Sequence, residues 1–286
     1  MIDRASLKEW FAIPPEELAE RAKVPFEIVA SPAALHEHVA QEMFDEIAGA
    51  AQAGREISII VPIGPTGQYA LLAERLNRER VSLRHVSYFG MDQCLDWQSR
   101  PLPSGHRWDF ESTFWRGFLE LVDPDLRPLP DNVIFPSALD LDRPAREIER
   151  RGGVATTYGG FGFQGHIAFN EPPSTRWSPV TLEELRDSRT RILPIAVDTI
   201  IAHSQRSLGG NTYGMPPMAV TLGMRELLGA KRVRLYTDTG SWKQTILRIL
   251  LLAEPTVEYP VTLVQGHPDV KVVVDAASAA SPPVDW

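Results

Sequence analysis

The chain reads as an α/β domain in which a parallel or mixed sheet is covered by helices, and three observations predict this. Short apolar runs alternate with helical patterns along most of its length, as successive βα units do. One of those runs, Ile57 to Val61, ends in a glycine-bearing turn that leads into a helix. With 286 residues, 43% of them hydrophobic, there is enough apolar material for one substantial core.

Charge and cysteine content narrow the function classes. The formal net charge of −8 argues against nucleic-acid and anionic-membrane partners, which are bound chiefly through dense Lys/Arg surfaces. An anionic ligand must therefore be captured by a local site. Cys94 is the single cysteine, which excludes an internal disulfide framework and fits a reducing compartment. Met1 to Lys8 contain no apolar signal core, and no apolar run is long enough to span a bilayer. A cytoplasmic protein is expected, and a homo-oligomer is left open.

Residues 1–30 read as a helical appendage, with an amphipathic piece around Leu7, Trp10 and Phe11 and then Pro14-Pro15 before a second short helical run. One domain is expected over residues 31–286. Ser31-Pro32 gives an N-cap followed by proline at the first helical position, and Leu35, Val39, Met43 and Ile47 recur every four residues down one face until Gly54. Ile57 to Val61 is a buried strand. It runs into Pro62-Ile63-Gly64-Pro65-Thr66-Gly67 and a helix from about Gln68 to Arg80. Strand, glycine turn and helix make an anion cradle when exposed N–H groups and the helix dipole converge. The same punctuation also marks turns that bind nothing.

Val86 to Phe89 is the next strand, and Asp92 follows its carboxyl end, where ligands collect in open α/β sheets and where a general base is useful. An aspartate capping its own turn is the structural alternative. Leu95 to Asp109 is polar, holds proline and tryptophan, and reads as a surface loop bordering the site. Phe110, Phe114, Trp115 and Phe118 read as the core stripe of a helix. Val133 to Phe135 is a short strand, and Arg143 to Arg151 a charged helix.

Val154 to Tyr158 leads into the most informative segment, Gly159-Gly160-Phe161-Gly162-Phe163-Gln164-Gly165-His166-Ile167-Ala168-Phe169-Asn170-Glu171-Pro172. Its glycines allow sharp turns and close approach to a ligand. His166 is the natural acid/base, because an unperturbed imidazole titrates nearest neutrality. Glu171 is near enough in sequence to orient that ring if the chain folds back. A buried structural histidine is the alternative that the glycine-rich context disfavours.

The run from Gly162 to Pro172 resembles the signature of glucosamine-6-phosphate isomerase/deaminases, whose superfamily also holds the 6-phosphogluconolactonases, and Ile167 to Pro172 favours the deaminase branch. Phe89-Gly90-Met91-Asp92, Ala219-Val220-Thr221-Leu222-Gly223, Gly240-Ser241-Trp242-Lys243 and Gln265-Gly266-His267-Pro268 are similar to further family motifs in the expected order, over roughly residues 31–276. The resemblance implies a modified Rossmann-like three-layer α/β/α domain with a mostly parallel sheet. It implies conversion of an amino-sugar phosphate, glucosamine 6-phosphate or a relative, to a ketose phosphate with release of ammonia. No metal or organic cofactor is implied, and the partner is a small sugar or sugar phosphate. His166 would open the sugar ring, Asp92 would move a proton between adjacent carbons, and Glu171 would support the histidine. The phosphate would lie against Gly64, Thr66, Gly67 and Lys243.

The departures are specific. Gln164 stands where the family carries an aspartate of the histidine relay, and a neutral amide cannot stabilise imidazolium by charge. Ile63-Gly64-Pro65-Thr66 replaces a Thr-Gly-Gly-Thr turn, so a hydroxyl and one backbone donor are lost. Gln205 takes the place of a phosphate-gripping arginine, with Arg206 beside it as the substitute. Arg191-Ile192-Leu193-Pro194 keeps the arginine of the family's effector region and loses a lysine, so allosteric control is not expected. Two further classes stand beside the isomerase/deaminase: a non-catalytic or regulatory sugar-phosphate-binding homologue, and a hydrolase resembling 6-phosphogluconolactonase.

Overall fold

The computed structural model describes residues 2–173 and 179–284, so the last two residues of the expected domain lie outside it. The chain opens with α1 (Arg4–Phe11), α2 (Pro15–Arg21), β1 (Phe26–Val29), α3 (Pro32–Gln52), β2 (Ile57–Val61), α4 (Gln68–Glu79) and β3 (Val86–Gly90). It continues through β4 (Asp92–Leu95), α5 (Phe110–Gly117), β5 (Val133–Ile134), α6 (Arg143–Arg150), β6 (Thr156–Gly159), α7 (Leu182–Arg186) and β7 (Arg191–Pro194). It ends with α8 (Val197–Ser207), β8 (Met218–Thr221), α9 (Met224–Leu228), β9 (Arg232–Thr237), α10 (Gln244–Leu252), β10 (Val270–Asp275) and α11 (Ala276–Ala279).

Seven strands form the main sheet in the order β1-β10-β9-β6-β2-β3-β5, every neighbouring pair parallel. Helices cover both faces, which is the mostly parallel α/β architecture that the alternating pattern predicts. All five residues of β2 are buried, and the pleat divides them. Ile57, Ile59 and Val61 join the apolar cluster under α3, α4 and α5, while Ile60 joins the one beneath α10. Each such side chain contributes about 1.5–3 kcal/mol by burial.

The helix signals act as their chemistry requires. The Ser31 side chain accepts a hydrogen bond from the Ala34 N–H, Pro32 fills the first turn of α3, and Leu35, Val39, Met43 and Ile47 are buried. Gly54, at φ +61°, ends the run in a conformation that suits glycine.

Two expectations are corrected. The helical appendage expected over residues 1–30 ends before β1, since Phe26–Val29 pairs with β10 as an edge strand of the main sheet. Its helices are also tied down: the fully buried Arg248 donates to the carbonyls of Trp10, Ile13, Ala279 and Ala280 at 3.0–3.2 Å. Burial lowers that guanidinium to a pKa of about 10. The second correction is a small antiparallel sheet, β4-β8-β7. Its four-residue strands are too short to show an alternating pattern, and Leu95, expected to open the surface loop, is the last residue of β4.

Candidate active site

The carboxyl ends of β2, β3, β6 and β9 lie side by side in the main sheet. β2 is the point where the strand order turns, with β3 on one side and β6 on the other, which is where open α/β sheets leave a crevice. A cavity of about 540 Å³ opens there.

His166 enters the cavity from the turn after β6. The Gly162 N–H donates to the His166 carbonyl at 2.7 Å and the Gly165 N–H to the Gly162 carbonyl at 3.1 Å, so the segment closes on itself. Gly165 has φ +71°. A Cβ on Gly162 would overlap the His166 ring, so glycine is required there to leave room for the imidazole. Asn170 pins the far end of the loop by donating to the carbonyls of Ile167 and Leu222 at 3.0 and 2.8 Å. Ala168 lines the cavity at φ +54°, a left-handed conformation that costs about 1–2 kcal/mol for a residue with a Cβ.

Burial pushes the His166 pKa down to about 3, with the Lys243 and His203 charges adding to the effect. The imidazole is therefore neutral at physiological pH. Glu171 Oε1 stands 3.8 Å from His166 Nδ1. The other carboxylate oxygen accepts the Ala196 N–H just before α8, so the carboxylate is anchored with one oxygen left facing the ring. Burial raises the Glu171 pKa above the ordinary carboxyl range.

Asp92 opens β4 and faces the same cavity. Burial raises its carboxyl to a pKa of about 7, the range in which a carboxylate can both take and return a proton near neutrality. The short β4–β8 ladder holds it in place, with Asp92 opposite Thr221.

At another wall Gly64, Thr66 and Gly67 line the cavity immediately before α4, while Pro65 offers no N–H. Lys243 is buried and donates to the Phe161 carbonyl. Burial, reinforced by the Arg206 charge, lowers its pKa to about 7. Arg206 also lines the cavity and lies 5.8 Å over the Trp242 ring, a cation–π contact that holds the long side chain. Gln205 is exposed and outside the lining, so the neighbouring arginine is the one that reaches the pocket.

Gln164 is not brought to His166. Its amide donates to Asp198, and the side chain lines an adjoining concavity with Trp242, Ile246 and Tyr259. His36, His203 and Asp238 also line the cavity and carry no local sequence signature. His203 packs edge-on against Trp108 at 6.0 Å, and Trp108 is fixed by donating its Nε1–H to the Gly214 carbonyl at 2.7 Å. Phe110, read as core stripe, packs against the apolar clusters and also stacks on Phe169 at 6.3 Å and lines the cavity. None of the helices among the described residues is long and apolar enough to cross a membrane.

Comparison with known proteins points to one family. No family model matches the chain. Glucosamine-6-phosphate deaminase of Parabacteroides distasonis is 32% identical over 220 residues, 76% of this chain and 74% of that protein. The enzyme of the same name from Cronobacter sakazakii is 31% identical over 235 residues, 79% and 80% of the two chains. Among solved structures, a monomeric glucosamine-6-phosphate deaminase matches with a TM-score of 0.75 at 21% identity, over 91% of this chain and all of the other. A 6-phosphogluconolactonase from Trypanosoma cruzi has the same fold, with a TM-score of 0.63 at 20% identity over 90% and 97%. The aligned relatives, together with the loop from Gly162 to Pro172, place this chain in the glucosamine-6-phosphate deaminase family.

Proposed function

We propose that the protein is an isomerase/deaminase of amino-sugar phosphates, taking glucosamine 6-phosphate or a close relative to a ketose phosphate and ammonia. The observation that carries this reading is the pairing, in one cavity, of a neutral buried imidazole with a carboxyl group whose pKa is about 7. The reaction needs two proton movements at different places on one substrate, and two separately tuned groups supply them.

In this reading the neutral His166 takes the proton of the anomeric hydroxyl and returns it to the ring oxygen as the sugar opens. Glu171 fixes the ring and favours the imidazolium that forms transiently. The Asp92 carboxylate removes the proton from C2 of the open chain and delivers it to C1, while one proton of the C2 ammonium passes to the C1 oxygen. The resulting ketimine is hydrolysed to ketone and ammonia. The phosphate lies against the N–H groups before α4, with Lys243 and Arg206 as counter-charges. An incoming phosphate dianion raises the Lys243 pKa from about 7, so substrate binding restores its full charge.

The test is a panel of amino-sugar phosphates, sugar phosphates and 6-phosphogluconolactone, with ammonia, ketose and acid release read separately. Ammonia and ketose formation that disappears in His166→Ala supports the proposal. A folded protein inert on every amino-sugar phosphate sinks it, and acid release from the lactone alone would move the assignment to the hydrolase class.

A further inference from the structure

Three buried side-chain atoms without a hydrogen-bond partner among the described residues belong to one place: His166 Nδ1, Glu171 Oε1 and Thr199 Oγ1. Buried polar atoms are seldom left alone in a folded protein, so three together call for a reason. The first two face each other across 3.8 Å. Thr199 is 2% exposed and lines the same cavity as His166.

The start of α8 accounts for the third atom. Ala196 is the N-cap of that helix, which makes Thr199 its third residue. A side chain in that position reaches back toward the N-cap N–H, as the acid of a capping box does. In this protein the Ala196 N–H is taken by Glu171 Oε2, so the Thr199 side chain stands beside a carboxylate that arrives from the loop of His166. Helical threonines ordinarily return the hydroxyl to a carbonyl one turn earlier, and Thr199 does not. Its proton is left for the carboxylate.

The balance of forces on Glu171 fits that contact. Burial raises its pKa, the Thr199 hydroxyl and the Ala196 N–H lower it, and the Asp198 charge raises it. Asp198 precedes Thr199 on α8 and is engaged by the Gln164 amide. Lys243 and His203 act on His166, and Asp92 of β4 and Arg206 of α8 line the same cavity. None of these cations forms an ion pair with Glu171 among the described residues, so hydrogen bonds are what oppose its protonation.

We infer that Thr199 is a positioning residue of this protein, whose hydroxyl donates to Glu171 Oε1 and keeps that group a carboxylate aimed at His166, in the place that Gln164 gives up by turning to Asp198. The inference rests on the proposed acid/base role of His166. Oε1 has lone pairs for both the hydroxyl and an Nδ1–H, and no covalent step is involved.

The experiment follows the carboxyl carbons of the full chain, labelled with carbon-13 at glutamate, by NMR through a pH titration, with Glu171→Gln identifying the Glu171 signal and thermal melts confirming the fold. In Thr199→Val the Glu171 midpoint is expected to move upward by about one pH unit, the loss of one hydrogen bond to the charged form. Thr199→Ser, which keeps the hydroxyl, titrates like the wild type. On the amino-sugar phosphate that the panel identifies, Thr199→Val should lower kcat about tenfold with KM within about twofold, and Thr199→Ser should recover most of the loss. The same Glu171 midpoint in wild type and Thr199→Val overturns the inference while leaving the proposed function standing. So does a Thr199→Val effect confined to KM, which would put the hydroxyl on the substrate. A wild-type protein inert on every amino-sugar phosphate overturns the proposed function, and the midpoint then decides alone whether Thr199 holds the carboxylate. Should Thr199→Val fail to fold, Thr199→Ala is judged by the same midpoint and the same kinetic split.

Discussion

His166 Nδ1 and Glu171 Oε1 face each other at 3.8 Å, and each is a buried polar atom without a hydrogen-bond partner among the described residues. Orphaned buried atoms are costly, of the order of 1–3 kcal/mol each, and here a small closure of the gap satisfies both at once. In the proposed reaction the pair tightens when the imidazole gains charge during ring opening. Glu171→Gln keeps the shape and the anchor at Ala196 but removes the charge that favours imidazolium. The expected outcome is a fall in kcat of about a hundredfold or more with little change in KM. Steady-state kinetics on the substrate found in the panel check it, and a mainly KM effect would show that Glu171 acts in binding.

Asp92 links activity to stability through one titration. Its carboxyl is raised from an ordinary aspartate to a pKa of about 7 by burial. Between those two values the unfolded chain has already released the proton that the folded chain retains, so stability falls as pH rises through that window and stays lower above it. Asp92→Asn removes the penalty. The variant should gain on the order of a few kcal/mol at about pH 8 and progressively less toward about pH 4, while losing the proton-transfer step. Chemical denaturation at several pH values measures the first effect. The kcat/KM profile measures the second: the wild-type ascending limb near pH 7 should be absent from whatever activity remains.

Gly162 is tested most directly by adding one methyl group. The Cβ of Gly162→Ala overlaps the imidazole of His166, and the segment cannot yield easily because it is closed by the Gly162 N–H bond to the His166 carbonyl. The side chain that gives way is His166, the proposed acid/base. Activity should fall at least as far as in His166→Ala, with the fold retained as judged by circular dichroism. A variant with near-normal turnover would show that His166 works from a different rotamer.

How much of this was legible follows from where each signal resides. The cap at Ser31, the four-residue spacing along α3 and the buried run of β2 are local, and local periodicity survives in a linear string. The same holds for His166 and Glu171, which share a loop, and for Asp92, which follows a strand end. His36 and Asp238 are brought together only by the stacking of α3 over the sheet, and neither neighbourhood reveals the other. The β4-β8-β7 sheet is hidden for a related reason: its β4–β8 ladder joins strands distant in the chain, Asp92 opposite Thr221, and a four-residue strand carries too little alternation to register. Gln164 marks a different limit. Its identity could be read as a departure, but the direction of its side chain, toward Asp198 and away from His166, is a tertiary fact.

That direction changes what repair of the relay requires. Replacing Gln164 with aspartate would restore the residue type the family carries, yet in this chain it sets the new carboxylate against Asp198, which now accepts the Gln164 amide. Like charges at that separation are unfavourable, and the partly exposed surroundings let the new side chain relax into solvent instead of turning toward the buried ring. Gln164→Asp alone should therefore leave ammonia release close to the wild-type rate. Adding Asp198→Asn removes the repulsion and frees the aspartate to reach the histidine, so the double variant should release ammonia about tenfold faster or more. A double-mutant cycle on ammonia release provides the measurement. If the single substitution already achieves the full gain, Asp198 does not hold the side chain at position 164; if neither variant changes the rate, the relay is not what limits this protein.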